Sequence, residues 1–306
     1  MSYEITTAFV DQFKANILLL SQQKQSLLRA ACRMEPVTGD TMFLDRVAAT
    51  TAQAITTRHG DTPLISTPHS RRKLTMGDYN WADLIDNADK LKMLSDPTSV
   101  YVQNAVAAFN RQIDATIITA LGGPAYSGHT GATTVNNYDS GECRLISSAG
   151  LAVSAGSNHS DVTATNLTIA KLLLAKQLMD DADIDPARPR YFVANPANIA
   201  ALLNTTEVKS SDYNTVKALA MGQIDSFLGF KFIMSNLLTA DPTETDSTNC
   251  YAFAQDAIVL AVSEEPTVKI TERADKNYAN QVYVEMSIGA TRLEDPAVVE
   301  MNNKTV

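Results

Sequence analysis

The residues best suited to do chemistry crowd into one stretch, TTRHGDTPLISTPHSRRKLTM, at positions 56–76. It holds His59 and His69, two of the four histidines of the chain, with Asp61, Ser66, Ser70 and the cations Arg58, Arg71, Arg72 and Lys73. His59, Asp61 and Ser66 are the residue types of a hydrolytic triad. A triad needs its base held rigidly by a third group, and its members usually come from distant segments. Here all three lie within a short polar run that also carries Gly60, Pro63 and Pro68. The stretch therefore reads as a solvated tip, not a catalytic loop.

Other candidate sites fail for equally physical reasons. Asp181, Asp183 and Asp185 alternate as in the start of a calcium loop. Such a loop needs Gly at its sixth position and Glu at its twelfth, and those positions hold Pro186 and Phe192. Gly122-Gly123 belongs to no dinucleotide or phosphate-loop pattern. His129 and His159 stand alone, without the spacing of metal ligands. Cys32, Cys143 and Cys250 are far apart and odd in number, so they read as reduced, buried thiols. Trp81 and Tyr79 read as packing anchors, not stacking platforms for bases. No catalytic, cofactor-binding or metal-binding residue is assigned, and no cofactor is expected.

The totals narrow the class. A chain of 306 residues with 45% hydrophobic content holds one large or two medium domains. A net charge of −9 argues against a dedicated nucleic-acid binder. No apolar run reaches the ~18 residues of a membrane span, and the N-terminus lacks the basic start of a signal peptide. Folding in the cytosol, without a membrane partner, is the expectation.

The elements that must position these groups are legible as patterns. Ile5, Phe9, Phe13, Ile17 and Leu20 recur at helical steps, and Leu27, Leu28 and Ala31 resume the stripe, which predicts a helix over 3–34. The clearest element spans 96–122, where Asp96 can cap and Pro97 suits the first turn. Its stripe of Val102, Val106, Phe109, Ile113, Ile117 and Leu121 ends at Gly122-Gly123-Pro124. At 1.5 Å per residue it makes a rod of roughly 37 Å. Residues 123–163 read as loops with short strands. A helix is predicted from about Thr165 to Met179, a buried strand over 190–196, and a helix opening at Pro196. Helix, turn and strand follow over 215–236, then one or two strands over 251–262. Val282, Val284, Met286 and Ile288 alternate with polar residues, as in a half-buried strand. The order is α+β, without a repeating βαβ unit.

Residues 41–86 stand apart. VAATTAQAITT (47–57) and RKLTMGDYNW (72–81) read as two extended, threonine-rich arms around the polar tip 58–70. Arms of about ten residues project roughly 30 Å. Neither arm has a strong apolar face, so the hairpin needs a surface to lie on. A good core, a projecting hairpin, a long helix and no reaction centre favour a self-assembling structural protein.

This arrangement resembles the major capsid protein of tailed bacteriophages, the Hong Kong ninety-seven-type fold, along nearly the whole chain. DPTSVYVQNAVAAFNRQIDATIITALGG resembles its spine helix. ARPRYFVANPANIAALLN and DSFLGFKFIMSNLL resemble pieces of its axial domain. YAFAQDAIVLAV and QVYVEMSIGATRLEDPAVVEM resemble the return into its peripheral domain. The resemblance implies an N-terminal arm at 1–39 and an extended loop at 40–90. It implies a peripheral domain with the spine helix at 91–122 and 263–306, and an axial domain at 123–262.

The same resemblance implies hexamers and pentamers of the chain in an icosahedral shell around double-stranded DNA, assembled in the host cytoplasm. An acidic chain contains DNA without gripping it. Portal and, optionally, decoration proteins are implied partners. Because about 39 residues precede the loop, a separate scaffolding protein is expected. No covalent crosslink is expected at Lys73. A cellular nanocompartment shell of the same fold, or a cytosolic α+β enzyme, are the alternatives. In a hairpin turning near Leu64 and Ile65, Arg58 falls opposite Arg71 and Arg72. With Lys73 these like charges call for carboxylates of a neighbouring copy, for which Glu264, Glu265 and Glu272 are candidates.

Overall fold

A computed structural model describes residues 22–58, 60–62, 64–85, 98–135, 144–146, 153–154, 165–204, 226–238, 240 and 247–304. The chain first forms β1 (Arg33–Pro36), β2 (Thr41–Val47), β3 (His69–Thr75), β4 (Gly77–Ile85) and the long helix α1 (Thr98–Gly122). Short strands follow: β5 (Ala125–Ser127), β6 (Thr133–Val135), β7 (Arg144–Ile146) and β8 (Val153–Ser154). Next come α2 (Ile169–Asp181), β9 (Arg190–Ala194), α3 (Pro196–Leu203), β10 (Ser226–Phe227) and β11 (Phe230–Met234). The last strands are β12 (Ser247–Ala254), β13 (Ile258–Arg273), β14 (Ala279–Arg292) and β15 (Val298–Lys304). The class is α+β, as expected.

The strands build three sheets, ordered β1-β13-β14-β4, β10-β11-β9-β12-β15-β7-β8 and β2-β3-β5-β6. The described residues divide into two compact units. One draws on residues 22–26, 78–85, 98–112 and 264–287, and the other on the described residues within 27–77, 113–263 and 288–304.

In the first unit, Ala105, Ala107 and Phe109 of α1 are buried. In β14, Val282, Val284 and Met286 are buried while their neighbours stay half-exposed, which is the predicted alternation. The polar side of α1 holds the chain before it. Asn110 donates to the Lys24 carbonyl at 2.8 Å, and Arg111 donates to Gln22 Oε1 at 2.7 Å.

In the second unit the seven-stranded sheet carries the core: Phe192, Val193, Phe230, Phe253, Val299 and Met301 are all buried. Local signals start its helices. Thr168 caps α2 by accepting from the Lys171 amide, and Asn195 caps α3 by accepting from the Asn198 amide at 2.8 Å, with Pro196 in the first turn. Leu228 (φ 54°) and Gly229 (φ 89°) make the tight turn between β10 and β11. The Lys171 ammonium, itself buried, donates to the carbonyls of Thr165 and Asn302 and to Asn303 Oδ1.

Several expectations change. The predicted helix over 3–34 begins outside the described residues, and its end is not helical. Arg29–Ala31 is a single 3-10 turn, and Arg33–Pro36 pairs in parallel with Val259–Val262. Pairing with a sheet edge has overridden the local stripe. β15 pairs with β12 and β7 inside the seven-stranded sheet. Of the arm predicted at 47–57, only Val47 is in a strand. The Asp96-Pro97 cap and the helix predicted at 215–224 lie outside the described residues.

Candidate functional site

The β2–β3 hairpin is set by its register. Thr41 faces Thr75, Asp45 faces Arg71 and Val47 faces His69, so the ladder is centred on residue 58. The turn therefore lies some six residues earlier in the chain than a turn at Leu64 and Ile65. Arg58 sits at the middle of the tip and is exposed, and it does not face Arg71. The expected repulsion across the strands is absent, because Arg71 Nε donates to Asp45 Oδ1 at 2.7 Å. Both side chains are solvated, so the pair contributes ~0–1 kcal/mol. Ala48 donates to the Pro68 carbonyl at 3.0 Å and closes the ladder. Between them no strand is found among the described residues, and Ile55 and Leu64 are 94% and 98% exposed.

Successive side chains of a strand point to opposite faces. Arg71 points out and Arg72 points in. Arg72 is fully buried and ion-paired with Asp295 of its own chain, 223 residues away. It is not available to a neighbour, which corrects the expectation placed on it. Arg292 Nε donates to the other oxygen of Asp295 at 2.7 Å, and Arg46 Nη1 lies 3.9 Å from the carboxylate. Sequence reading missed Asp45, Arg46, Arg292 and Asp295, since no local pattern marks a carboxylate as partner to so distant an arginine. Lys73 is half-buried, and its stem fills the space where a side chain at Gly131 (φ 68°) would stand.

The remaining candidates are dispersed. Asp61, Ser66 and His69 are exposed, His59 lies outside the described residues, and Ser70 accepts from Arg46 Nε at 3.2 Å. Asp185 accepts from the Ala187 amide at 2.9 Å, and Asp180 pairs with Arg190 at 2.7 Å. Among the described residues no group of His, Cys, Asp and Glu has the arrangement of a metal site. No helix among them is long and apolar enough to cross a membrane. His129 is exposed, Cys32 and Cys250 are buried, and His159 and Cys143 lie outside the described residues. Trp81 and Tyr79 are half-buried on β4.

Comparison with known proteins agrees with that geometry. The structure described as "Capsid of Ralstonia phage GP4" superposes with a TM-score of 0.73 at 10% identity, over 97% of this chain and 96% of that one. "Acidic stable capsid structure of Helicobacter pylori bacteriophage KHP30" gives 0.72 at 10% identity, over 100% and 98%. A chain of Mycobacterium phage Che8 gives 0.69 at 15% identity, over 96% and 97%. These likenesses establish the fold. No curated protein matches the sequence. The sequence itself matches the family described as "Phage capsid protein" over residues 5–305. A shared fold from end to end and a family match of the same extent lead to one assignment: the chain belongs to the phage capsid protein family.

Proposed function

We propose that this capsid protein is the major shell subunit, forming the hexamers and pentamers of an icosahedral head around double-stranded DNA. The observation that supports it best is the hairpin, which ends in a described loop whose Ile55 and Leu64 are almost wholly exposed. Apolar side chains on a projecting segment without a fold of its own need a partner surface. A neighbouring copy supplies it, and residues 40–90 act as the extended loop. The family match favours this reading over a nanocompartment or an enzyme. Arg58, Arg71 and Lys73 are the proposed contact cations. Glu264, Glu265 and Glu272, exposed on β13, are candidate acceptors on the neighbour. Scaffolding, portal and decoration proteins and the packaged DNA are proposed partners, with assembly in the host cytoplasm.

The test is sedimentation and electron microscopy of the purified protein. Megadalton closed shells are expected, and a small oligomer at every concentration would sink the reading. Arg58→Glu with Arg71→Glu should leave a folded subunit that closes few shells. A normal shell yield would remove these cations from the interface.

A further inference from the structure

We infer that Asp295 is the positioning residue of the extended loop: its carboxylate gathers arginines from both strands at the base of the hairpin and fixes where the loop leaves its subunit. The inference rests on reading the hairpin as the docking arm. Arg72 comes from β3, Arg46 from β2 and Arg292 from the end of β14. Asp295, Arg72 and Arg292 have fully buried side chains. Arg46 Nη1 also donates to the Leu293 carbonyl at 2.7 Å, which ties β2 to the same turn. Arg292 Nη1 continues the connection, donating at 3.1 Å to the carbonyls of Leu121 and Gly123. These carbonyls mark the C-terminal end of α1, where a cation is favoured by the helix dipole.

Apolar packing alone would hold these elements together without setting their angle. Leu74 of β3 packs with Val37, Val259 and Ala261, and with Met42, Leu44, Met76 and Leu293 around them. Such contacts are non-directional. Guanidinium–carboxylate contacts are directional, because a planar fork of donors meets a planar pair of acceptors. The Asp295 carboxylate accepts hydrogen bonds from Arg72 of β3 and Arg292 at the β14 end, one on each oxygen. Arg46 of β2 stands 3.9 Å away as an ion-pair partner held by its bond to the Leu293 carbonyl. Gly289 shows how close the approach is: a Cβ there would collide with the Thr75 carbonyl oxygen. An error of angle at the base grows along the loop, so the base is where aim is decided.

A purely stabilising role and a positioning role separate in the Arg72→Met, Arg292→Met, Asp295→Leu triple variant. Replacing a whole buried ionic cluster by apolar residues of similar size is often neutral for stability. The triple variant should unfold near the wild-type midpoint but lose closed shells. Its hydrogen exchange should rise across 41–47 and 69–75. Wild-type shell yield and size from that variant would overturn the inference. If the triple variant does not fold, Asp295→Glu decides. It keeps the charge and moves it by one methylene, and it should give misshapen or fewer shells with faster exchange at the hairpin base. Normal shells and unchanged exchange would overturn the inference. Wild-type protein run in parallel isolates the underlying reading: if it forms no shells, the docking arm fails, whatever Asp295 does to exchange at the base.

Discussion

Asp114, on the buried side of α1, accepts the backbone N–H of Leu28 at 3.1 Å with one carboxylate oxygen. Its other oxygen accepts from Leu27 at 3.0 Å. Both amides lead into the turn Arg29–Ala31 and have no helical carbonyl to donate to. The long helix therefore presents a charge to the chain that runs beside it, and Leu28, fully buried, is held in place by its own backbone. An apolar stripe alone would not specify this entry into β1.

Asp114→Ala leaves two amides without their acceptor, one of them deeply buried. Charge-assisted bonds of this kind contribute roughly 1.5–3 kcal/mol each, less than additively. The expected loss is about 3 kcal/mol, read as a fall in the urea midpoint at constant slope. A change below about 1 kcal/mol would show that water replaces the carboxylate easily.

Phe109 is 4% exposed on the apolar stripe of α1. Phe109→Ala should cost about 3–5 kcal/mol and lower soluble yield. An unchanged unfolding midpoint would mean that the buried face of the helix lies elsewhere.

Periodic elements were the legible ones. The stripe through Phe109, Ile113 and Leu121 and the alternation through Val282, Val284 and Met286 each read out one buried face, because one neighbouring layer decides the pattern. Pro196 announced α3 because its ring suits the first turn of a helix. The register of the β2–β3 hairpin was not legible. Threonine-rich arms with no apolar face allow several registers, and Asp45 opposite Arg71 distinguishes the real one only after pairing. Arg72 was misread for the same reason. Four clustered cations look alike in sequence, and a one-residue step on a strand separates the solvated Arg71 from the buried Arg72.

The two described thiols give a pH signature. Burial pushes Cys32 up to about 12, with the Asp114 charge adding to it. Burial pushes Cys250 up to about 11, against the pull of Asn303, Asn195, Asn198 and Lys171. In the unfolded chain both ionise near 9.0. Between these values the folded state keeps protons that the unfolded state has released, so stability falls as pH rises. The contribution is complete below about 9 and is lost as pH climbs through 11 and 12. Cys32→Ala with Cys250→Ala should flatten the alkaline decline relative to wild type. Thiol reagents at pH 8 should label both residues far faster in urea than in buffer. Rapid labelling of the native subunit would contradict the burial.

Arg71 and Arg72 offer the sharpest contrast, since they are adjacent in sequence and opposite in environment. Arg71 is 45% exposed and pairs with an Asp45 that is 66% exposed. Water screens both partners, and Arg71→Ala should change the stability of the free subunit by less than about 1 kcal/mol. Arg72 is fully buried against a fully buried Asp295. Arg72→Ala removes a cation and leaves Asp295 to Arg292 and the more distant Arg46. Breaking a buried ion pair from one side costs about 3–5 kcal/mol, so this variant should lose much of the stability of a typical domain. A double-mutant cycle with Asp295→Ala should give a large coupling energy for Arg72 and almost none for Arg71. In assembly Arg71 acts as a surface contact and not through the fold: Arg71→Ala should slow shell closure at low salt while leaving the subunit folded. Denaturant midpoints that move equally for the two substitutions would show that the strand does not present them to opposite sides, and the assignment of Arg71 rather than Arg72 to the contact surface would fall with it.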